Sequence, residues 1–159
     1  MSVSMDDFKR VLQRWASGVT VVTARTGEQV HGMTVSAFSS VSADPPLVLV
    51  CANRRSTTHG VIETGGIFTV NILASDQADV STVFASPDME DARFDVVKWS
   101  ETESGAPTID GALASLECVV VEAHAAGSHT VYIGRVESVV ARDADPLLYY
   151  GGKYRSLTD

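Results

Sequence analysis

Five hydroxyl side chains crowd into nine residues of the stretch GMTVSAFSSVSADPPLVLV: Thr34, Ser36, Ser39, Ser40 and Ser42. Hydroxyls and the backbone N–H groups around them can hold a phosphate or the edge of a polar ring. Ser and Thr also cap ordinary turns between strands, so the stretch is open to both readings. On a strand, Thr34 and Ser36 would face one side and Val35 and Ala37 the other, with Ser39 and Ser40 in the turn that follows. The segment CANRRSTTHG carries Asn53, Arg54 and Arg55 ahead of a helix that would open at Ser56 and Thr57. A strand end, a pair of arginines and a helix N-terminus together suit an anion. The alternative is a capped helix beside solvated arginines. A third place is GSHTVYIGRV, where His129 and Tyr132 flank a β-run. Tyr149, Tyr150 and Tyr154 could stack on a flat ligand or close the end of a barrel.

Other chemistries find no support in the spacing. His31, His59, His124 and His129 are scattered, with no CxxC or HExxH pattern, so no metal site is expected. Cys51 and Cys118 sit inside apolar runs and read as buried free thiols. No Ser-His-Asp order or pair of carboxylates can be argued from spacing. A formal net charge of −8 argues against a nucleic-acid partner. An anion site in so acidic a chain must be locally electropositive or rich in backbone donors.

The elements that would position these residues are mostly strands. Phe8, Val11, Leu12 and Trp15 make one apolar face of a helix over residues 5–16, with Ser4 and Asp7 as its N-terminal cap. Strands are expected in VTVVTAR, in 29–36 after a TGEQ turn, in LVLVCAN and in IFTVNIL. Short helices are expected after Ser56 and, behind a Ser75 cap, over 76–84. Residues 86–106 read as a long irregular excursion, a kind of segment that often serves function. LASLECVVVEAHAA and HTVYIGRVESVVAR form a long pair joined through GS, followed by PLLYYGGKYRSL. The pattern predicts one domain, 1–159, that is mainly β: a closed antiparallel, Greek-key-like barrel with peripheral helices. It is not a Rossmann fold, because GxGxxG and strand–helix alternation are missing. The longest apolar run, 47–52, is too short to span a bilayer. With no signal-peptide pattern at the N-terminus, the expected location is cytoplasmic.

These places, in this order, resemble the short-chain flavin reductases, the small reductase components of two-component flavin-dependent monooxygenases. FKRVLQRWASGVTVVTA, GMTVSAFSSVSADPPLVLVCANRRS, FTVNIL, HTVYIGRV and PLLYYGGKYRSL carry the resemblance over nearly the whole chain. It implies an FMN-binding split barrel, a homodimer, and reduction of FMN or FAD by NADH or NADPH. The reduced flavin would then pass to a partner monooxygenase. On this resemblance Thr34, Val35, Ser36 and Ala37 meet the isoalloxazine edge, largely through backbone groups. Ser39 and Ser40 lie toward the ribityl chain and phosphate. Cys51, Asn53, Arg55, Ser56, Thr57, Phe84 and Ala85 continue the flavin site. His129 is placed near the nicotinamide, flanked by Tyr132, Tyr149 and Tyr154. Since the cofactors carry the hydride chemistry, no acid–base pair is required. The rival expectations are a split-barrel oxidase that keeps its flavin, resembling the pyridoxamine-phosphate oxidases, a non-enzymatic flavin-binding module, and a plain structural barrel.

Overall fold

The computed structural model describes residues 2–158. In chain order its elements are α1 (Met5–Leu12), β1 (Ser17–Gly18), β2 (Thr20–Thr26), β3 (Gln29–Val35), β4 (Phe38–Ala43), β5 (Pro46–Asn53), α2 (Thr57–Gly65), β6 (Ile67–Ile72) and α3 (Ala78–Ala85). A 3₁₀ helix (Pro87–Ala92), α4 (Arg93–Val96), β7 (Trp99–Glu101), β8 (Pro107–Ile109), β9 (Ala114–Ala126), β10 (His129–Ala141), β11 (Leu148–Tyr150) and β12 (Lys153–Arg155) follow.

Seven strands make one antiparallel sheet in the order β3-β2-β6-β9-β10-β5-β4. Its two edge strands, β3 and β4, are consecutive in the chain and joined only by Ser36 and Ala37. Two residues reach about 7 Å, so the sheet must curl until its edges nearly meet. The fold is mainly β and antiparallel, as expected, but the sheet does not close. The Phe38 N–H turns back to the Ser36 carbonyl at 3.0 Å and the Ala37 carbonyl accepts the Cys51 N–H at 3.1 Å, which leads the chain onto β5 instead of along β3. The expected turn at Ser39 and Ser40 is also a strand: both lie in β4, opposite Leu49 and Val48.

Alternation along the strands fills two apolar layers. One holds Val22, Val50, Val70, Phe68 and Tyr132, with Val61 and Ile62 of α2 packed onto it. The other holds Val19, Val21, Leu73, Phe84, Ile109 and Leu147. Gly134 sits where β10 crosses Phe68, and a Cβ there would lie 2.6 Å from the Phe68 ring and 2.8 Å from the Cys118 Cβ. Between β6, β2 and β8, the buried Asn71 amide donates to the Val21 carbonyl at 2.9 Å, and its oxygen accepts the Ile109 N–H at 2.9 Å.

The helices follow their caps. Ser4 Oγ accepts the Asp7 N–H at 3.1 Å, and α1 ends at Leu12, earlier than the apolar spacing implied. None of α1 is buried: Phe8 is 56% and Leu12 54% exposed, and Trp15 just beyond the helix is 78% exposed. Ser56 caps α2 by accepting the His59 N–H at 3.1 Å, and Gly66 ends it with φ 70°. Ser75 does not cap α3. Gln77 orders that entry by accepting the Ala74 N–H at 3.0 Å and donating to the Asp110 carbonyl at 3.0 Å. Residues 86–106 are not irregular: they form the 3₁₀ helix, α4 and β7, and β7 pairs with β8.

Candidate functional site

The junction of the two sheet edges is lined by side chains from four elements. Thr34 of β3, Ala85 of α3 and Tyr149 and Tyr154 of the β11–β12 hairpin surround a cleft of about 200 Å³, with Ser36 at its rim. Tyr149 and Tyr154 face each other across the hairpin, rings at 5.6 Å and 65°. Ser81 ties this wall together: its carbonyl accepts the Thr34 hydroxyl at 2.6 Å and its Oγ accepts the Tyr154 hydroxyl at 2.8 Å. Thr34 and Ala85 also border a second cleft of about 320 Å³, lined further by His31, Arg55, Ser56, Thr57 and Glu90. Together these make a trough, aromatic at one end and rich in donors and charge at the other.

The charged end is built by the turn after β5. Asn53 Oδ1 accepts the Arg55 N–H at 2.9 Å and its carbonyl accepts the Ser56 hydroxyl at 2.8 Å. The Arg54 N–H reaches the Ser128 carbonyl at 3.0 Å, which joins this turn to the tip of the β9–β10 hairpin. Arg55 also borders a third cleft of about 560 Å³ with Asn53, Arg54, Gly127 and Ser128. Among the described residues neither Arg54 nor Arg55 has a carboxylate within ion-pair distance. On the opposite wall Glu90 Oε1 accepts the Thr57 hydroxyl at 2.8 Å and faces His31 Nε2 at 3.2 Å. A carboxylate only accepts, so Nε2 carries the proton. The neutral ring then takes the Thr58 hydroxyl on Nδ1 at 2.7 Å. Burial holds His31 below its ordinary value, with Glu90 opposing. The Thr57 hydroxyl holds the Glu90 carboxyl below its own.

Of the hydroxyls and neighbours singled out in the sequence, Thr34, Ser36, Arg55, Ser56, Thr57, Phe84 and Ala85 line the trough. Ala37 lies beside it, in a groove with Trp15, Phe38 and Tyr149. Thr34 and Ser36 share one cleft while Val35 enters the core, the alternation expected of a strand. The Val35 side chain is buried and its carbonyl accepts the Thr20 hydroxyl. Ser39 and Ser40 stand exposed on edge strand β4, where Ser39 Oγ donates to the Ser40 carbonyl, and neither lines the trough. Phe84 is a supporting wall, fully buried and edge-on to Phe94 at 5.3 Å. Cys51 is half-buried in β5 beside the Ala37 link. Burial raises its thiol and pushes that of Cys118 up to about 12, so neither is a ready nucleophile.

Tyr132 requires a correction. It is 2% exposed, its ring lies 5.5 Å from His59 beneath α2, and it lines none of the clefts described above. Alternation along β10 turns it inward with Thr130 and Gly134. His129 is half-buried, pairs with Asn53, and shares a hydrogen bond of 2.8 Å with Ser128. Its two partners, Asn53 and Ser128, line the Arg54–Ser128 cleft, while His129 itself is not among that cleft's lining residues.

Four participants escaped the sequence reading: His31, Ser81, Glu90 and Arg93. His31 was legible in principle, since it shares a strand face with Met33 on the run that carries Thr34. Ser81, Glu90 and Arg93 lie in short helices with no spacing signal. Arg93 is 6% exposed and its guanidinium donates to the carbonyls of Gly32 at 2.8 Å, Ser86 at 3.0 Å and Val83 at 3.2 Å. It thereby fixes the 3₁₀ wall and α3 against β3. Gly32 permits the approach: a Cβ there would meet the Phe84 ring at 2.9 Å. Among the described residues no three His, Cys, Asp or Glu gather to ligate a metal, and no helix is long and apolar enough to cross a membrane.

The fold and site define a mainly antiparallel split-sheet protein with a polar and aromatic trough where the sheet edges meet. The chain belongs to the flavin reductase like domain family, whose model matches residues 12–158. An NADH-dependent flavin reductase of a Rhodococcus species is 45% identical over 152 residues, 94% of this chain and 84% of the relative. The reductase subunit HsaB of a flavin-dependent monooxygenase from Mycobacterium tuberculosis is 37% identical, covering 99% of this chain and 86% of the relative. Among solved structures, the NADH:FAD oxidoreductase SgcE6 of Streptomyces globisporus, in complex with NAD and FAD fragments, superposes with a TM-score of 0.91. It is 34% identical and covers 99% of this chain and 97% of that one.

Proposed function

We propose that this protein is an NAD(P)H:flavin oxidoreductase that reduces FMN or FAD and hands the reduced flavin to a partner monooxygenase. The observation that carries this reading is the trough at the sheet junction, in a chain of the flavin reductase like family. Its residues fit a flavin nucleotide. Tyr149 and Tyr154, expected beside the nicotinamide, are placed in this reading at the flavin-ring end, where their rings, tilted 65° to each other, give an aromatic border; Thr34 and Ser36 border its edge, and Arg55, Ser56 and Thr57 supply a cation and donors for a phosphate. The bound flavin supplies the electron-accepting ring, and the nicotinamide supplies the hydride.

The chain's own residues bind and orient. Ser81 holds Thr34 and Tyr154 in one wall, so the ring-binding end is set by hydrogen bonds between three elements. His129 and the Arg54–Ser128 cleft supply a separate wall for the nicotinamide nucleotide, with Arg54 and Arg55 available to its phosphates. Arg55 borders both clefts, which brings the two cofactors to one edge of the protein. An open trough suits a flavin that must leave.

The active form in this reading is a homodimer. The apolar face of α1, with Val139 and Val140 at the far end of β10, is exposed on the single chain and needs a partner surface. Sedimentation at micromolar concentration should give twice the chain mass, and a fully active monomer would refute it. The activity is tested by following NADH and NADPH oxidation with FMN, FAD and riboflavin added separately. Flavin-dependent oxidation is expected, and rates equal with and without protein would sink the reading.

A further inference from the structure

Glu90 is an acidic group in a place that, on the reading above, must receive an anion. It projects into the same cleft as Arg55, Ser56 and Thr57, and its Oε1 already accepts the Thr57 hydroxyl at 2.8 Å and faces His31 Nε2 at 3.2 Å. Its side chain is 39% exposed, so neither burial nor a full ion pair neutralises it. The nearby cation on its own side, Arg93, is committed to three backbone carbonyls. Thr57 is thus shared between a resident carboxylate and any phosphate that enters.

We infer that Glu90 is a specificity-determining residue that lowers the affinity of the cleft for phosphate-bearing flavins relative to riboflavin, and so promotes release of the flavin nucleotide. The inference rests on the flavin reading of the trough. A phosphate held by Arg55 and Thr57 lies within a few ångströms of the Glu90 carboxylate, where like charges repel through a partly solvated gap. Its entry must either displace Glu90 from Thr57 or bind beside it. Both raise the dissociation constant, and neither touches the ring-binding end at Tyr149 and Tyr154. For an enzyme whose product is a departing flavin, weak retention of the phosphate favours turnover.

Glu90→Gln tests this, because the amide oxygen can still accept from Thr57 and His31 while the charge is gone. Binding of FMN, FAD and riboflavin to the parent and the variant is measured by flavin fluorescence, with thermal melting as a check that both are folded. The variant should bind FMN about tenfold tighter, as expected for one like charge removed across about 6 Å of partly solvated cleft. Riboflavin should move less than about twofold, and FMN dissociation should slow in stopped flow. FMN affinity that is unchanged, or that moves in step with riboflavin, would overturn the inference while leaving the flavin site intact. A parent protein that binds none of the three flavins would overturn the reading of the trough itself, and the inference with it.

Discussion

Replacing Arg93 with methionine should loosen the wall of the trough from behind. Methionine fills much of the same apolar volume but donates nothing, so the carbonyls of Gly32, Val83 and Ser86 lose their shared partner. Hydrogen bonds from a charged donor contribute about 1.5–3 kcal/mol each. Part of that is offset because the guanidinium no longer has to be stripped of water. Burial presses on the arginine in the native state, and Glu90 opposes that pressure. A net loss of about 2–4 kcal/mol follows. For a chain of this size that corresponds to a fall in Tm of about 4–16 °C. Calorimetry of parent, Arg93→Met and Arg93→Lys reads it directly. The lysine variant should fall between the others, since one ammonium cannot span three carbonyls as the planar fork does. Riboflavin affinity should weaken with Arg93→Met, because Ala85 and Thr34 stand on the α3 and β3 wall it pins. A methionine variant that melts within about 2 °C of the parent would show that the three contacts carry no net stability, and the account of the wall would fail.

Three further outcomes are expected. His129→Ala should raise the nicotinamide KM about 2- to 13-fold, the effect of one lost hydrogen bond, with flavin affinity unmoved; steady-state kinetics and a flavin titration on the same variant check both. Burial first, then Arg93, lowers the His31 pKa below 6.5, against the pull of Glu90 and Asp91. The unfolded chain therefore takes up the proton first as pH falls, and stability should drop as pH descends through about 6.5 and level off below the folded value. Melting curves between about pH 5 and 8 should show His31→Asn flatter than the parent over that window. Gly134→Ala should cost about 1–3 kcal/mol in urea unfolding, because its Cβ would press on the Phe68 ring and on Cys118 within the core.

Local chemistry was legible where one or two residues decide the outcome. Ser4 and Ser56 announce their helices, because a hydroxyl can satisfy an orphan N–H at i+3. The TGEQ and GS turns are made at Gly27 and Gly127, which take positive φ. What the sequence hid depends on contacts far along the chain. The segment 86–106 has no periodicity, since its short helices and strand are held by Arg93 on the Gly32 carbonyl of β3 and by Trp99 on the Phe94 carbonyl. Ser39 and Ser40 look like turn residues because β4 is an edge strand with a bulge between Ser40 and Ser42 and no apolar alternation to betray it. Tyr132 looks like a ligand residue beside His129, yet β10 alternates, so Thr130, Tyr132 and Gly134 point inward and His129 does not share their face. Thr34, Ser36, Arg55 and Thr57 were legible as a group, but their meeting point depends on Ser81 and Glu90, which no local pattern marks.

The strand order carries a consequence for how the molecule is made. During synthesis β5 and β6 emerge early, separated only by α2, yet they are not neighbours in the finished sheet. Both wait for the β9–β10 hairpin, which inserts between them, β9 along β6 and β10 along β5. Until residue 141 has left the ribosome, the nascent chain holds two sheets-in-waiting, each with a bare edge. The hairpin is a keystone: without it nothing joins β6 to β5, and the β3–β2–β6 and β5–β4 parts are linked only through the chain at Ser36 and Ala37. A fragment ending before Ala114 should therefore be prone to aggregate through those open edges, and the trough arises only when nearly the whole chain is present.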